Sequence, residues 1–200
     1  MELDLLNEYA DKAYPILAAL VTPRPIAWVT TLNENGTVNA APFSFFNVMG
    51  DDPPMLVFAP GNREGGTPKD TALNCRRSGE FVVNMVDEAL GEAMVRTSAS
   101  LPYGESETTL AGLTTVASTS VSVPRLEAAP AALECKVHDI IEIGGNRMVI
   151  GLILKVQVQD RYFDPATRRI ILENYHPIGR MAVPDWYCRT NDQYVMKRPR

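Results

Sequence analysis

A lysine and a threonine follow a glycine-rich loop at the predicted start of a helix. Residues 61–71 read Gly-Asn-Arg-Glu-Gly-Gly-Thr-Pro-Lys-Asp-Thr, which places Lys69 and Thr71 in the first helical turn. Glycines let the backbone approach a ligand closely. The free amides and positive dipole end of a helix favour an anion, to which Lys69 adds its charge. The segment therefore indicates an anion site, suited above all to the phosphate of a cofactor. An ordinary capped surface helix behind a flexible loop is the alternative, and this segment alone does not decide between the two.

The same segment predicts how the helix begins. Thr67 is expected to cap it, Pro68 to be its first residue, and Asp70 to be the acidic member of a capping box. The loop is not a P-loop of the ATPase type, because that motif requires a contiguous Gly-Lys-Ser/Thr. Here Thr67 and Pro68 separate Gly66 from Lys69.

Other catalytic motifs are missing from the sequence. The two histidines, His138 and His176, lie far apart and lack the His/Cys/carboxylate spacing of a zinc site. The sequence contains no Gly-x-Ser-x-Gly elbow, no His-Glu-x-x-His, and no Gly-x-Gly-x-x-Gly that opens a helix after a strand. We therefore predict no catalytic side chain and no metal ligand, and expect a cofactor to carry any reaction.

The composition favours one globular domain over residues 1–200. Of its 200 residues 46% are hydrophobic, which is enough for a sizeable core. The net charge of −5 argues against nucleic acid as the main partner, and no apolar run approaches the ~20 residues of a transmembrane helix. The cysteines Cys75, Cys135 and Cys188 are scattered, which is typical of free thiols in a reducing compartment. We therefore expect a cytoplasmic protein with no membrane contact.

The elements that must position these residues are mostly strands. Pro42 marks an edge or an irregularity in one of them, and an Asn-Gly turn at 33–36 and a Gly-Gly-Asn turn at 144–146 predict hairpins. Short connections of this kind favour an antiparallel barrel over a parallel βαβ sheet. Runs rich in β-branched and aromatic residues predict strands at 25–32, 37–47, 54–59, 80–86, 133–143 and 148–158, and a short one at 169–172.

Few helices are expected. One is predicted over 68–78 and ended by Gly79, and a second is capped by Asp87. An N-terminal arm, residues 1–20, is partly helical and interrupted at Pro15. Residues 98–131 are predicted as loop and residues 181–200 as a C-terminal tail.

Several sequence blocks resemble the flavin reductase-like family. They are Thr22-Pro-Arg-Pro-Ile-Ala-Trp-Val-Thr-Thr31, Asn39-Ala-Ala-Pro-Phe-Ser-Phe-Phe-Asn47, Lys69-Asp-Thr71, Gly79-Glu-Phe-Val-Val-Asn84, Leu133-Glu-Cys-Lys136, Gly144-Gly-Asn146 and Pro177-Ile-Gly-Arg180. They follow the family order and cover about residues 14–190. The chain is thus similar to the FMN-binding split-barrel proteins of the flavin reductase/flavoredoxin type.

The resemblance implies a mainly β fold, a six-stranded antiparallel split β-barrel with Greek-key connections and a few flanking helices. It also implies a homodimer with FMN bound near the subunit interface. The residues that match the family's flavin site are Thr30, Thr31, Ala41, Pro42, Phe43 and Ser44 on two strands, Arg63, Lys69 and Thr71 around the phosphate, and Asn84 as support from a neighbouring strand.

The same resemblance implies an FMN-dependent oxidoreductase with NAD(P)H as electron donor. Its acceptor would be a flavin, oxygen, a ferric complex or a protein such as a monooxygenase. Dedicated reductases of two-component monooxygenases often carry His-Glu-x-Gly-Asp-His where this chain has Ile141-Glu-Ile-Gly-Gly-Asn146. The missing histidines favour a tightly held FMN that passes electrons to another acceptor. A non-catalytic FMN carrier or redox sensor is the alternative, and a split barrel serving only as an interaction module is a third.

Overall fold

A seven-stranded antiparallel sheet organises the protein. The structure is a computed structural model that describes residues 1–199, so the last residue of the predicted 181–200 tail lies outside the described residues. The order across the sheet is β2-β1-β5-β6-β7-β4-β3. The strands are β1 (Ala27–Leu32), β2 (Val38–Phe43), β3 (Phe46–Asp51), β4 (Pro54–Phe58), β5 (Glu80–Asn84), β6 (Ala131–Ile143) and β7 (Asn146–Val158).

Hairpins join three pairs of strands that are neighbours both in sequence and in the sheet, whereas the long segment 85–130 connects the paired strands β5 and β6. The hairpins connect β1 to β2, β3 to β4, and β6 to β7. The β6–β7 hairpin is the longest, with a register that runs from Ala131↔Val158 to Ile143↔Asn146. At its tip Gly144 has a φ of 57°, which glycine adopts without strain. The connections from β2 to β3 and from β4 to β5 instead cross between strands that are not neighbours.

The sheet has one strand more than the predicted six and is not a closed barrel. Residues 37–47, predicted as one strand, form β2 and β3, which lie at opposite edges of the sheet. The composition stays strand-like through this break, because Phe43 and Phe46 on either side of it both pack on the core. Only the change of pairing partner separates the two strands, and a period-2 pattern does not record that change.

The short strand predicted at 169–172 lies outside the main sheet. Arg169–Ile170 pairs with Phe163–Asp164 in a two-residue ladder. Two similar ladders join Thr115–Val116 to Arg125–Leu126 and Gly179–Arg180 to Tyr187–Cys188.

The main sheet curls around one apolar core. Phe43 on edge strand β2 lies 5.4 Å, centroid to centroid, from Phe58 on β4. Phe58 in turn lies 5.2 Å from Phe81 on β5. Strands β2 and β4 are far apart in the sheet order, so this contact requires the sheet to roll up and bring its ends together. Val29 and Val149, on β1 and β7, are buried in the same cluster.

Short helices flank the sheet. The 3-10 turns are Ala10–Lys12, Glu88–Leu90 and Asp160–Tyr162, and the α-helices are α1 (Ala13–Leu20), α2 (Asp70–Ser78), α3 (Gly91–Arg96) and α4 (Glu107–Ala111). Trp28 of β1 packs with Met94 of α3 and Leu126 in a second buried cluster. Within residues 1–199, every helix is too short or too polar to cross a membrane.

Of the two predicted ends of α2, the C-terminal one is confirmed and the N-terminal one is wrong. Gly79 ends the helix as predicted, with a φ of 68° and an N–H that donates to the Cys75 carbonyl at 3.0 Å. The helix begins at Asp70 with Lys69 as its N-cap, so the prediction of Thr67 as cap and Pro68 as first residue was wrong. Pro68 instead forms an isolated β-bridge with residue 62, which keeps the chain extended up to the helix.

Three other helical predictions have mixed outcomes. Asp87 caps a helix start as predicted, because its side chain accepts from the Leu90 N–H at 3.2 Å. Pro15 does not interrupt α1, since it lies in the first turn, where a missing N–H costs nothing. The 98–131 segment, predicted as loop, contains α4, which Ser106 caps at its start.

Candidate functional site

Two adjoining cavities lie beside the end of β2. The wide cavity has a volume of about 450 Å³, and the narrow chamber has a volume of about 70 Å³. Pro42, Lys69 and Ser98 line both, so the two spaces meet there. Together they form one cleft with a broad part and a small pocket at one end.

Aromatic and apolar side chains wall the wide cavity. Phe43 and Phe45 come from the end of β2, Tyr14 from α1, and Met94 and Val95 from α3. The Tyr14 and Phe45 ring centroids are 6.0 Å apart. Because these residues are far apart in the sequence, the wall exists only once the N-terminal helix and α3 pack against the sheet.

The rim of the wide cavity is polar. Asn146, at the tip of the β6–β7 hairpin, reaches it, as do Arg180, Asp185 and Tyr187 from the C-terminal segment. The Arg180 guanidinium lies 4.7 Å from the Tyr187 ring centroid and donates to the Trp186 carbonyl at 3.0 Å. The hairpin whose sequence departs from the dedicated reductases therefore borders this cavity.

Ser44 is held in place by a buried arginine. Arg24 Nε donates to Ser44 Oγ at 3.3 Å. Its other nitrogens donate to the carbonyls of Val21 and Met181, both at 2.7 Å, and to that of Ala18. Burial lowers the pKa of Arg24 from its ordinary value. One side chain thus connects the N-terminal helix, the C-terminal segment and the end of β2.

Pro42 lies on β2, an edge strand of the sheet, as the sequence predicted. The register of β1 and β2 continues through the Trp28↔Pro42 pair. The N–H of Ala40 points away from β1 and donates to Glu107 Oε2 at 3.1 Å. Because strand residues alternate, the missing N–H of Pro42 also falls on the side away from β1, where no ladder bond is lost.

Lys69 enters the narrow chamber at the start of α2. Its ammonium lies 5.7 Å from the Phe43 ring centroid, and among residues 1–199 no carboxylate lies within ion-pair distance of it. Burial, together with the positive charge of Arg63, lowers the pKa of Lys69. The helix start next to it carries no side-chain cap, so the amides of the first two helical residues are left for a ligand, while the next two donate to the Lys69 carbonyl. Thr71 Oγ1 accepts from Asn39 Nδ2 at 3.0 Å, so its hydroxyl hydrogen stays available.

Arg63, by contrast, has several partners within the protein. Its Nη2 lies 2.9 Å from Asp70 Oδ2, its Nη1 donates to the Leu101 carbonyl at 2.6 Å, and its guanidinium lies 3.8 Å from the Tyr103 ring centroid. Burial raises the pKa of Asp70 although Arg63 counteracts it. Burial also raises the pKa of Glu107, the second carboxyl group of the chamber.

The cleft brings together most of the predicted site residues. Ala41, Pro42, Phe43, Ser44, Arg63, Lys69 and Thr71 line one or both cavities. Thr30, Thr31 and Asn84 are fully buried behind the cleft and line neither cavity. Thr30 Oγ1 donates to the Pro124 carbonyl at 2.8 Å, and Thr31 Oγ1 accepts from Asn74 Nδ2 at 3.0 Å. As cofactor contacts these three residues stay predictions.

Sequence reasoning missed several lining residues. Asn39 and Arg180 lie within the blocks that carry the family resemblance, so the signal for them was present. Tyr14, Glu107 and the segment 97–101 carry no local signal, because they reach the cleft only through packing of the flanking helices.

The family model described as Flavin reductase like domain matches residues 19–174. This chain belongs to the flavin reductase-like family. The resemblance predicted from the sequence blocks is confirmed, and the protein is therefore a flavin-related oxidoreductase by family.

Solved structures agree with this membership in the flavin reductase-like family. The Pseudomonas fluorescens 2-nitrobenzoate 2-nitroreductase is 36% identical with a TM-score of 0.90, over 100% of this chain and 96% of that one. The nitrilotriacetate monooxygenase component B of Bacillus cereus is 31% identical with a TM-score of 0.92, over 98% of both chains. A putative flavin reductase with a split barrel domain from Shewanella frigidimarina is 19% identical, with a TM-score of 0.81 over 100% of both chains, and shows the split-barrel fold.

Proposed function

We propose that this flavin reductase-like protein is an FMN-dependent oxidoreductase. It takes electrons from NAD(P)H and passes them to a second acceptor, which is a flavin, oxygen, a ferric complex or a protein. The observation that carries the proposal is the shape of the cleft. A broad cavity with aromatic walls opens directly into a small chamber, and the lysine where the two meet has no carboxylate partner among the described residues.

The residues present fit a flavin with one phosphate. The wide cavity, at about 450 Å³, lies within the usual range for small-molecule sites, and its apolar walls suit a flat ring. Partial desolvation and the positive charge of Arg63 lower the pKa of Lys69, so a bound anion would stabilise its charged form. The uncapped start of α2 adds amide donors and a positive dipole end beside the same lysine.

Each predicted residue then has a position in the proposed site. Ala41, Pro42, Phe43 and Ser44 would wall the ring, and Lys69, Thr71 and Arg63 would surround the phosphate. Thr30, Thr31 and Asn84 would act from behind, because Asn84 Nδ2 donates to the Trp28 carbonyl at 2.9 Å and its Oδ1 accepts from the Leu126 N–H at 2.8 Å. These bonds fix β1 against β5 and the chain before β6.

The protein's own part in the reaction is binding and orientation. When bound, FMN supplies the two-electron chemistry. Among the described residues, the lining of the wide cavity includes one carboxylate, Asp185, and no histidine. The side chains are therefore suited to hold a flat ring and a second reactant against each other in a site partly closed to water.

The first test is a visible absorption spectrum of the purified protein, repeated after anaerobic addition of NADH and then of NADPH. A yellow protein that bleaches with either nucleotide is the expected result. A colourless protein that also fails to bind added FMN contradicts the proposal.

A non-catalytic FMN carrier is the second candidate, favoured by the β6–β7 hairpin. Its tip residue Asn146 lines the wide cavity, where the sequence lacks the two histidines that resemblance links to nicotinamide binding. A yellow protein that bleaches with dithionite but with neither nucleotide would support the carrier. Steady-state NAD(P)H oxidation with an added acceptor would support the enzyme.

The matched structures suggest which acceptors to try. One relative is named as a monooxygenase component and another as a nitroreductase acting on 2-nitrobenzoate. We therefore propose two acceptor classes for this chain, a partner monooxygenase and a nitroaromatic acid. NAD(P)H consumption with FMN-loaded protein should rise on addition of the true acceptor, and should not rise with benzoate, which lacks the nitro group.

We also propose a homodimer. Leu20 and Val21 at the end of α1, and Val48 and Met49 on edge strand β3, are large apolar side chains exposed by at least 60%. Exposed apolar side chains on a free sheet edge favour association. Phe45, which walls the wide cavity and is itself part-exposed, precedes β3 directly, so such a dimer would bring the partner close to the cleft.

A further inference from the structure

Arg24 is a buried cation whose hydrogen-bond partners are all uncharged. It is 5% exposed, and among residues 1–199 no carboxylate lies within ion-pair distance of it. Its nitrogens donate to three backbone carbonyls and to Ser44 Oγ. A buried arginine is ordinarily paired with a carboxylate that neutralises it. The bonds of Arg24 satisfy its donors but leave its positive charge uncompensated.

The backbone places a second arginine next to Arg24. The two form a reciprocal bridge, in which the Arg24 N–H donates to the Arg180 carbonyl at 2.9 Å and the Arg180 N–H donates to the Arg24 carbonyl at 2.8 Å. Gly179 permits this approach, because a Cβ there would lie 3.0 Å from Cys188 Sγ and 3.1 Å from Pro23 Cβ. The Arg180 guanidinium also donates to backbone carbonyls, and within the described part of the chain it has no carboxylate partner. Two like charges are therefore held together without a counter-charge.

Both arginines lie at the wide cavity. Arg180 lines it directly. Arg24 lies behind two residues that line it, with its Nε 3.3 Å from Ser44 Oγ and its Cζ 5.9 Å from the Phe45 ring centroid. Asp185, the one carboxylate among the described lining residues, is exposed, so water screens its charge. This end of the wide cavity is therefore electropositive.

The bond from Arg24 determines how the Ser44 hydroxyl can act. Because Ser44 Oγ accepts from Arg24 Nε, its own hydrogen remains free to donate. Ser44 follows β2 directly and lines the wide cavity. A hydroxyl that is polarised by a cation behind it is a stronger donor than an isolated one. Arg24 and Ser44 together are thus suited to a ligand atom that gains negative charge.

We propose that Arg24 is a positioning residue that, through Ser44, raises the reduction potential of the bound flavin. The inference rests on the proposed function, in which FMN occupies the wide cavity. A hydride from NAD(P)H brings two electrons and one proton, so the neutral ring becomes an anion and the nucleotide becomes NAD(P)⁺. A positive charge in a site with little water stabilises that anion, and nearby charge is one of the means by which a protein tunes a flavin.

The test compares how tightly the full-length protein binds oxidised and reduced FMN. The ratio of the two dissociation constants, oxidised over reduced, is measured anaerobically with dithionite as the reductant, or obtained from the midpoint potential of the bound FMN. In Arg24→Gln the ratio should fall at least about tenfold, which lowers the potential by about 30 mV for a two-electron couple. Arg24→Lys retains the positive charge and should recover most of that loss.

Two further variants complete the comparison. Ser44→Ala removes the hydroxyl and leaves the three carbonyl bonds of Arg24 in place, so it tests the proposal even where Arg24→Gln does not fold. Its ratio should fall by at least about threefold, the effect of one lost hydrogen bond. Arg76→Gln is the matched control, because it removes an equal charge from an exposed arginine away from both cavities. Its ratio should equal that of the unaltered protein.

The outcomes separate this inference from the proposed function. If oxidised and reduced FMN are weakened equally in Arg24→Gln, the residue only supports the structure and the inference is overturned. An unchanged ratio in Ser44→Ala overturns the route through Ser44. In both cases, reduction of the bound FMN by NAD(P)H leaves the proposed function standing. Failure of the unaltered protein to bind any flavin overturns both.

Discussion

Two basic residues of the narrow chamber differ in their partners. Arg63 is paired with Asp70 and stacked on Tyr103, whereas Lys69 has no carboxylate within ion-pair distance among the described residues. A paired arginine mainly organises the protein around it, while a lysine without a carboxylate partner keeps its charge for a ligand. We therefore expect Lys69 to contribute directly to phosphate binding.

Lys69→Ala should weaken FMN binding by about 1–3 kcal/mol, because a hydrogen bond to a charged phosphate is lost. Riboflavin, which has no phosphate, should bind equally well before and after the change. Isothermal titration with both ligands measures this difference. Lys155→Ala on the exposed part of β7 serves as the control, and an equal loss for riboflavin and FMN in Lys69→Ala would refute the phosphate assignment.

Glu107 should make the stability of the folded protein depend on pH. Burial raises its pKa above the ordinary value of 4.5, so the folded protein holds the proton more tightly than the unfolded chain does. Its contribution to stability is therefore present below pH 4.5 and is lost as the pH rises through the raised pKa. Glu107→Gln removes this titration and retains an oxygen to accept the Ala40 N–H.

Urea unfolding from pH 4.5 to 7 measures the effect. The difference in unfolding free energy, Glu107→Gln minus the unaltered protein, should become more positive as the pH rises through this range. A difference that does not change with pH would contradict the prediction. The exposed Glu2 supplies the control, since Glu2→Gln should leave the pH profile unchanged.

At the scale of elements, β7 passes very close to β5. A Cβ atom at Gly151 would overlap the Phe81 ring, which is fully buried in the core. The glycine therefore belongs to the packing of the rolled sheet. No turn explains it, because Gly151 lies in the middle of a strand.

Gly151→Ala should destabilise the protein by about 1–3 kcal/mol, as expected when a methyl group is forced into a packed core. Gly145→Ala in the turn of the same hairpin is the matched control. A Cβ there approaches its nearest atom, Asn62 Nδ2, at 3.4 Å, so the change should stay within about 0.5 kcal/mol. Equal chemical-denaturation midpoints for the two variants would show that the overlap with Phe81 does not destabilise Gly151→Ala.

The elements differ in how well the sequence predicted them. The β6–β7 hairpin was recognised because two long apolar, β-branched runs flank a glycine turn. The break at residues 44 and 45 was missed because Phe43, Phe45 and Phe46 keep a strand-like composition through it. Helix α4 was missed because it has five residues and lies in a segment rich in turn residues.

At the scale of the whole molecule, the rolled sheet leaves β2 and β3 as edges. Every residue of β3 after Phe46 is exposed. An exposed sheet edge that carries Val48 and Met49 favours association with other chains, and a second copy of this protein could pair with it.

Sedimentation should therefore give twice the mass of one chain. Val48→Asp should shift this equilibrium toward the monomer by placing a charge on the apolar edge, while Lys155→Ala should not. A monomer at all concentrations in the unaltered protein would contradict the dimer.

Cofactor binding should stabilise the whole fold, because the cleft joins β2, α1, α2, α3 and the C-terminal segment. At free FMN about 100 times its dissociation constant, the unfolding free energy should rise by about 2.7 kcal/mol. Lys69→Ala at the same FMN concentration should show a smaller rise. Chemical denaturation with and without FMN measures both, and no rise in the unaltered protein would argue that FMN does not bind the folded state.

The sequence by itself determined the family, the main strands and the lysine at the start of α2. These depend on local order, since strand periodicity, turn glycines and a short motif are each written within a few neighbouring residues. Tertiary structure alone decided that β2 and β3 separate to opposite edges, and that Tyr14 and Glu107 reach one cleft. It also decided that Arg63 bonds to Asp70 and to the Leu101 carbonyl, which lie in separate segments of the chain. Such contacts arise from packing between elements, which no local pattern encodes.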